Sequence, residues 1–364
     1  MCAIIMKGDY MYRQTYAKID MDSIYRNIIK IREHYDYEHY IGVIKDNCYG
    51  HGIGAIRAII DAGCTYLAVA TLEEAIQVRL YTDIPVLCLG YIASENLHIC
   101  VNNDIAITIH SLDYFNEIKD FDFSLRVHLK LNTGMNRLGI KTRDDLDLIY
   151  NSLKSTSYTV EGIFSHIYNP DNRDDTNRQF DEFYNLCKNI DLSTIPMVHI
   201  AASDALTKYP KLEYINGVRL GLIMYGFSND MKLESTFSVH SKVIQINELD
   251  KNEKLGYNGA YVSKEKEKIA VIQIGYADGI IRAYEGNDVY INNKPYKIIG
   301  NVCMDMLFTK ADDSVKLYDE VTLLKDNSHI LQTSKHLNTI PYEILCGISS
   351  RVTRVYEYNG ETQE

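Results

Sequence analysis

The apolar positions of the chain follow two different patterns, and the first opens with a helix. Asp22 and Ser23 precede Ile24, Ile28 and Ile31, so capping residues are followed by apolar positions four and three residues apart. This spacing puts the three isoleucines on one face of a helix. The pattern therefore predicts an amphipathic helix that starts near Asp22.

Short apolar or β-branched runs then recur along the first two thirds of the chain. Polar, helix-prone segments such as TLEEAIQVRLY and NRQFDEFYNLCKNI separate them. The alternation of strand and helix favours a parallel sheet, and eight units of this kind predict an α/β fold with a (β/α)8 TIM-type barrel. The eight runs are residues 41–44, 66–70, 85–89, 105–109, 125–131, 160–164, 197–201 and 218–222.

The second pattern begins at about Thr236, where the chain becomes rich in β-type runs. These runs alternate with turn residues, which predicts a mainly β domain. We therefore divide the chain into a barrel domain, 1–235, and a mainly β domain, 236–364. The runs are SVHSKVIQI, KIAVIQIGYA, DVYINNKPYKIIG, VTLLK and SRVTRVYEY.

The composition narrows the partners and the compartment. The 364 residues suit two domains, and 49 acidic against 38 basic side chains leave a net charge of −11. This charge disfavours nucleic acid and anionic membranes as partners. No run is apolar for long enough to span a membrane, and the eight cysteines form no C-x-x-C pair. We expect a cytoplasmic protein with reduced thiols and no metal site.

Candidate chemistry lies at the ends of the predicted strands. Lys45 ends an apolar strand in IGVIKDNCYGHG, while His166, His199 and Arg219 lie at the ends of later strands. Functional groups of barrels collect at the C-terminal strand ends, and a desolvated lysine there can lose its proton and form a Schiff base. Lys45 alone is most simply a solvated strand-end residue. The later cluster points to the same rim and favours a functional site.

Five segments resemble the alanine racemase family, which comprises pyridoxal-phosphate enzymes with an N-terminal barrel and a C-terminal β domain. KDNCYGHG is similar to the family's cofactor-lysine motif, LKLNTGMNRLG to its L-K-V-D-T-G-M-G-R-L-G segment, and GYNGAY to its catalytic-tyrosine motif. IGYADG and CMDM complete the set. The five segments occur in family order over nearly the whole chain, which makes chance a poor explanation.

The resemblance implies a two-base racemase that uses pyridoxal 5′-phosphate and supplies D-alanine for cell-wall peptidoglycan. Lys45 would hold the cofactor and then act as one base, and Tyr257 would be the other. Two opposed bases suit racemisation, because a proton leaves one face of Cα and another arrives on the opposite face. The family takes this tyrosine from the partner subunit, which implies a homodimer with shared active sites.

The resemblance also assigns cofactor contacts by position. Arg219 matches the arginine beside the pyridine nitrogen, His199 its hydrogen-bonding neighbour, and His166 a histidine near the catalytic tyrosine. An arginine stays protonated and cannot hand a proton to the ring. The phosphate is expected at the loops after the last two barrel strands. Its expected contacts are Tyr49, Ser203 and the backbone N–H groups of Gly221 and Leu222.

Substrate contacts are assigned in the same way. Arg137 and the backbone N–H of Met304 are expected to bind the substrate carboxylate. Lys130 matches a position that is carbamylated in many family members, although Asn132 stands where the family usually has Asp. Tyr276 matches a residue that lines the substrate entry.

Ser350 is the main departure from the family pattern. The family usually reads I-S-Y-R-V where this chain reads ISSRV. The usual tyrosine reaches the cofactor phosphate and crowds the substrate methyl group, so a serine should leave space and a hydroxyl. Racemases of vancomycin-resistance systems that act on serine also carry a smaller polar residue here. We therefore expect Ser350 to line the substrate site and to permit activity on serine.

Two other functions stay open. One is a decarboxylase of the same architecture, although the chain lacks a glycine-rich phosphate loop of the decarboxylase type. The other is a non-catalytic protein that binds pyridoxal phosphate. Such a protein would be expected to lose one of the two bases, whereas Lys45 and Tyr257 are both present.

Overall fold

The structure is a computed structural model that describes residues 12–363. It divides into two compact units. The barrel unit is Asp22–Glu234, and the β unit comprises residues 12–21 and 235–363. The second boundary lies where the hydrophobic pattern changes. Residues 12–21 fall within the predicted barrel domain, 1–235, but cluster with the β unit.

The barrel unit is built on a closed ring of parallel strands, as the eight apolar runs predict. The last strand pairs with the first and completes the ring. Numbering starts at β1, Tyr16–Asp20, which lies in the β unit. The barrel strands are β2 (His39–Val43), β3 (Tyr66–Val69), β4 (Val86–Cys88), β5 (Ile105–Ile109), β6 (Arg126–Lys130), β7 (Thr159–Phe164), β8 (Met197–Ala202) and β9 (Gly217–Leu220).

Helices alternate with the barrel strands and cover them. The predicted first helix is confirmed, and its isoleucines Ile24, Ile28 and Ile31 are fully buried. The strands read as continuous apolar runs because both of their faces are covered. The helices are Met21–His34, Ile56–Asp61, Leu72–Arg79, Leu97–Asn102, Leu112–Ile118, Arg143–Leu153, Arg173–Leu186 and Ser203–Lys208.

The β unit contains a mixed sheet, as the change of pattern predicts, and two helices that the pattern does not predict, Asn327–His336 and Pro341–Gly347. The main path of the sheet runs β15-β14-β17-β10-β1-β18-β19, with β13 on β10 and β16 on β13. The strands are β10 (Phe237–Leu249), β11 (Lys254–Leu255), β12 (Tyr261–Val262), β13 (Glu267–Ile272), β14 (Asp288–Ile291), β15 (Lys294–Lys297), β16 (Leu307–Ala311), β17 (Glu320–Leu324), β18 (Thr353–Tyr358) and β19 (Glu361–Gln363).

Long-range pairing explains why β1 belongs to the β unit. It lies between β10, to which it is antiparallel, and β18, to which it is parallel. Just before it, Arg13 forms a two-pronged ion pair with the fully buried Asp278. Both partners of β1 come more than 200 residues later in the chain, so local spacing could not reveal them.

Candidate active site

Lys45 begins a left-handed helical turn directly after β2. Asp46, Asn47, Cys48 and Tyr49 all have φ angles between +51° and +55°. L-residues avoid this conformation, which costs about 1–2 kcal/mol for each of them. A run of four such residues is kept only where the surroundings determine it, and such strain concentrates at functional sites.

Contacts on both sides hold this turn. The backbone N–H of Asp46 donates to Glu74 Oε1 at 2.6 Å, and that of Gly52 donates to the Asn47 carbonyl at 2.8 Å. The ring of Tyr49 is buried, with its centroid 5.6 Å from that of Tyr225. The turn therefore fixes both Lys45 and the Tyr49 hydroxyl relative to the end of β2.

Arg219 in β9 is buried in a cage of hydrogen-bond acceptors and is only 3% exposed. Its Nη1 donates to Nδ1 of His199 at 2.8 Å and to the carbonyl of the same residue. Its Nη2 donates to the carbonyls of Ser165 and Ile200 and to Nδ1 of His166 at 3.1 Å. No carboxylate pairs with it within residues 12–363. Burial lowers its pKa to about 10, so it remains a cation at neutral pH.

The two histidines beside Arg219 are neutral acceptors. An arginine only donates, so Nδ1 of His166 and of His199 must accept and the proton of each ring lies on Nε2. Burial and then the charge of Arg219 lower the pKa of His166 to about 3 and that of His199 well below its usual range. The Nε2–H of His166 thus remains available as a donor.

Ser203 and Tyr49 meet at Gly221. The Ser203 Oγ accepts hydrogen bonds from the backbone N–H groups of Gly221 at 3.2 Å and Ile223 at 3.3 Å. A Cβ on Gly221 would lie 3.1 Å from the Tyr49 hydroxyl and 3.4 Å from Ser203 Oγ. The absence of a side chain therefore keeps space between two hydroxyls. The sequence predicts phosphate contacts from the backbone N–H groups of Gly221 and Leu222, which is buried, but it does not indicate Ile223.

Lys130 ends β6 and is only 6% exposed. Its Nζ lies 5.7 Å from the ring centroid of Phe164. Burial, followed by the charges of Arg137, Arg219 and Lys45, lowers the pKa of Lys130 to about 8. The barrel rim thus gathers four cationic residues, and no acidic side chain of the described residues pairs with Lys130.

Gln179 joins the loop after β6, which carries Arg137, to the loop after β7, which carries His166. Sequence reasoning missed this residue. Its Nε2 donates to Thr133 Oγ1 and to the His166 carbonyl, both at 3.0 Å. Its Oε1 accepts from the backbone N–H of Tyr168. Exposed Arg137 lies in the first of these loops and makes no hydrogen bond or ion pair within the described part of the chain. A polar residue on the buried face of the helix was the one signal that could have indicated Gln179.

Tyr257 lies on a tight turn of the β unit and is 70% exposed. Gly256, Asn258 and Gly259 on either side of it have φ angles of +68°, +60° and +57°. The Asn301 amide donates to the Tyr257 carbonyl at 3.1 Å. The turn is therefore fixed through its backbone, while the phenol projects from the surface of the unit.

The other predicted residues of the β unit lie on neighbouring exposed loops. The backbone N–H of Ala277, next to Tyr276, donates to the Met304 carbonyl at 3.0 Å. The hydroxyl of Ser349 donates to the Ala277 carbonyl at 2.8 Å, which places Ser350 beside the same loops. Tyr276, Met304 and Ser350 are all exposed.

The described residues contain neither a metal-binding cluster nor a helix that could span a membrane. Between residues 12 and 363 there is no group of three or more His, Cys, Asp or Glu side chains that could hold a metal ion. None of the helices there is both long and apolar enough to cross a membrane.

Comparison with known families gives a match for each part of the chain. The family described as "Alanine racemase, N-terminal domain" matches residues 19–229. The family described as "Alanine racemase, C-terminal domain" matches residues 236–356.

Individual relatives agree with the family matches. The alanine racemase of Anoxybacillus flavithermus is 34% identical, and the match covers 96% of each chain. Alanine racemase 1 of Bacillus subtilis is also 34% identical, over 97% of this chain and 95% of the relative. Among solved structures, alanine racemase from Clostridium difficile 630 is 30% identical over 98% of both chains with a TM-score of 0.92. The Bacillus anthracis enzyme with bound L-Ala-P is 31% identical over 98% of both chains with a TM-score of 0.90.

Proposed function

The chain belongs to the alanine racemase family, and we propose that it interconverts L- and D-alanine with two bases, Lys45 and Tyr257 of the partner subunit. As a member of this family it is a pyridoxal-phosphate-dependent racemase of alanine. The observation that carries the two-base proposal is the strained turn after β2, which holds Lys45 and Tyr49 at the barrel end. The D-alanine would serve peptidoglycan synthesis.

The residues of the barrel rim fit the cofactor. Gly221 leaves space between two hydroxyls, where a phosphate can approach the backbone closely, and Arg219 has no partner for its Nε–H among the described residues. When bound, pyridoxal phosphate supplies an electron sink that acidifies the Cα–H bond of an amino acid. The groups that would hold it are Lys45 at the aldehyde carbon, Arg219 at the pyridine nitrogen with His199 behind it, and Tyr49, Ser203, Gly221 and Leu222 at the phosphate.

The proton transfers follow from the two bases. Lys45 Nζ would remove or deliver the proton on one face of Cα, and the phenol oxygen of Tyr257 of the partner subunit would do so on the other. Phenols in water ionise only near pH 10, so a phenolate base needs hydrogen-bond donors beside it. The Nε2–H of His166 supports this role, because Arg219 occupies its Nδ1.

The substrate carboxylate would bind to Arg137 and to the backbone N–H of Met304. The exposed and unpaired guanidinium of Arg137 supports its part in this contact. Carbamylation of Lys130 would orient Arg137: the neutral amine adds to CO₂, forms an N–C bond and releases one proton. The lowered pKa of Lys130 and the surrounding positive charge support this anion.

We also propose a homodimer, in which the partner covers the exposed face of the β unit. Soluble proteins rarely leave many large apolar side chains exposed together. Around the tyrosine turn and its neighbouring loops, Tyr257, Tyr276, Ile281, Met304 and Met306 are all at least two-fifths exposed, which supports an interface there. The cytoplasmic location remains a prediction.

Activity on serine is the proposal that rests on Ser350. Its exposed hydroxyl has no hydrogen-bond partner among residues 12–363. A substrate hydroxymethyl group is larger and more polar than a methyl group, so a small polar residue suits it better than the usual tyrosine. Tyr276 would line the entry to the same site.

Racemisation is tested by incubating the purified protein with pyridoxal phosphate and L-alanine and following ellipticity. We expect the signal to decay to zero with no loss of amino acid, and the Lys45→Ala variant to be inactive. Release of CO₂ would instead support the decarboxylase alternative. Retained ellipticity with a bound cofactor would support a non-catalytic protein.

The shared site is tested by mixing two inactive variants, Lys45→Ala and Tyr257→Phe. After random subunit exchange, about half of the dimers are mixed, and each mixed dimer contains one site with both bases intact. Activity per subunit should therefore rise to about a quarter of the wild-type value. Exchange is verified with two affinity tags. If tagged mixed dimers form and stay inactive, Tyr257 does not act across the interface.

A further inference from the structure

A line of polar contacts, two hydrogen bonds and one longer contact, runs from Arg219 into the interior of the barrel. The Nε2 atom of His199 lies 3.1 Å from Nδ1 of His128, and Nε2 of His128 lies 3.6 Å from Oε2 of Glu161. Both imidazoles are fully buried. Barrel interiors are usually filled by branched apolar side chains, so two histidines in series need an explanation.

The two ends of the line determine its direction. Arg219 donates to Nδ1 of His199, so Nε2 of His199 carries the proton and donates to Nδ1 of His128. The proton of His128 is then on Nε2, where the nearest acceptor is Glu161. At 3.6 Å this contact is slightly longer than a hydrogen bond, and no closer partner exists within the described residues.

Two glycines make space for the imidazoles. A Cβ on Gly162 would lie 2.2 Å from Nδ1 of His128, and one on Gly217 would lie 3.1 Å from Cβ of His199. Real Cβ atoms do not approach other atoms to 2.2 Å, so no larger residue fits at position 162 without movement of the ring. The strands β7 and β9 are thus shaped around the two histidines.

Glu161 is held as a carboxylate at the far end. Oε2 accepts from the Tyr66 hydroxyl at 2.7 Å, and Oε1 accepts from Arg126 Nη1 at 3.0 Å. Burial opposes ionisation, but the contacts of His128, Tyr66 and Arg126 outweigh it and lower the pKa of Glu161 to about 2. At neutral pH this end of the line is an anion, and the other end is the buried cation Arg219.

We propose that Glu161 is a positioning residue for Arg219: it anchors the far end of the line and keeps both imidazoles as Nε2–H tautomers. With the opposite tautomer, an Nδ1–H of His199 would face a guanidinium that can only donate, and Arg219 would have to move. The geometry of Arg219 toward the bound cofactor is then determined through Glu161, which touches neither. This inference rests on the proposed function only for its effect on catalysis.

The first test reads the tautomers directly. In protein labelled with ¹⁵N-histidine and carrying the cofactor, but without substrate, we expect both buried histidines as Nε2–H tautomers. Glu161→Gln removes the anion and should populate the other tautomer. Glu234→Gln is the matched control, because Glu234 also pairs with an arginine of the barrel unit, Arg26, but lies outside the line. It should leave both tautomers unchanged.

The second test reads the cofactor and the kinetics. For Glu161→Gln we expect a changed pH dependence of the cofactor's visible absorption band and a kcat lower by roughly tenfold, with KM within about twofold, by analogy with carboxylates that orient metal-bound histidines. Glu234→Gln should match the wild type. Tyr66→Phe keeps the charge of Glu161 and removes one of its hydrogen bonds, so it should change the absorption band and kcat in the same direction but by less. This variant replaces Glu161→Gln as the test if Glu161→Gln does not fold.

Some outcomes would overturn the inference. If Glu161→Gln lowers Tm as much as Glu234→Gln does, and neither changes the tautomers, the absorption band or kcat, Glu161 is only a structural ion-pair residue. If the wild type does not racemise alanine, the proposed function fails, but the tautomers of the two variants still decide whether the line exists.

Discussion

The barrel unit and the β unit hold their candidate residues, here called the barrel half and the β half of the proposed site, in opposite ways. In the barrel unit, Arg219 is 3% exposed and donates to five acceptors, while Tyr257 in the β unit is 70% exposed and is held through its carbonyl. Arg219 finds its hydrogen-bond partners within the barrel unit, whereas the Tyr257 side chain is largely exposed on the β unit. Changes in the barrel half should therefore affect stability and activity together, and changes in the β half should affect activity alone.

The physical reason is the different cost of each arrangement. Lys45, Lys130, Arg137 and Arg219 lie close together without a carboxylate partner in the barrel unit, and burial of like charges opposes folding. Ordered acceptors and a packed core must offset that cost. The Tyr257 turn requires only local positive φ angles, which two glycines and an asparagine adopt readily.

The largest effect is expected for Tyr257→Phe. Loss of a general base typically costs about 10²–10⁴-fold in rate, so kcat for alanine should fall in that range. The hydroxyl has no hydrogen-bond partner among residues 12–363, and phenylalanine keeps the ring, so Tm should stay within about 1 °C of the wild type. Circular dichroism measures both quantities. A Tm loss of several degrees would contradict the separation of stability from activity in the β half.

The next largest effect is expected for Gly162→Ala, which tests whether stability and activity fall together in the barrel half. The added methyl group would lie 2.2 Å from Nδ1 of His128, and overpacking of this kind costs up to about 3 kcal/mol. We expect a lower free energy of unfolding in urea and a lower kcat. Gly347→Ala in the β unit is the control, because a Cβ there would meet no described atom within 4 Å apart from its chain neighbours and its own helix backbone, and it should be nearly neutral. Equal effects of the two variants would show that the barrel half does not couple stability to activity more strongly than the β half.

At pH 5, the titration of His166 should lower the free energy of unfolding by about 2 kcal/mol relative to its value above pH 6.5. The pKa of His166 is about 3 in the folded chain and near 6.5 when unfolded, because burial and then Arg219 disfavour its charge. Only the unfolded chain takes up the proton between these values, so stability is complete above pH 6.5 and declines as pH falls. His199 and His128 act in the same direction.

The corresponding measurement is urea unfolding between pH 5 and 7.5. His166→Gln keeps an acceptor for Arg219 but cannot titrate, so its slope should be shallower than that of the wild type by about 1.4 kcal/mol per pH unit. Identical slopes would mean that His166 is already protonated in the folded protein or titrates normally.

The part of the site that could be predicted from sequence is the part that lies in contiguous segments. The eight barrel strands follow from repeated apolar runs, and Lys45 and Tyr257 lie within motifs of six to eight residues. Gln179 and Glu161 were missed because their contacts join residues 11 to 95 positions apart. No local spacing encodes such a contact. The pairing of β1 with β10 and β18 is likewise not encoded by local spacing.

The smallest effect is expected for Ser350→Tyr, which tests whether a change in the β half alters substrate preference without altering stability. A tyrosine restores the usual family residue and should crowd a hydroxymethyl group more than a methyl group. Pockets discriminate between side chains of this difference by about 1–3 kcal/mol, so the serine-to-alanine ratio of kcat/KM should fall by roughly tenfold, with Tm unchanged. Ser350→Ala keeps the space and removes only the hydroxyl. If it lowers the ratio as much as Ser350→Tyr does, the hydroxyl rather than the space determines activity on serine, and if neither changes the ratio, Ser350 does not contact the substrate side chain.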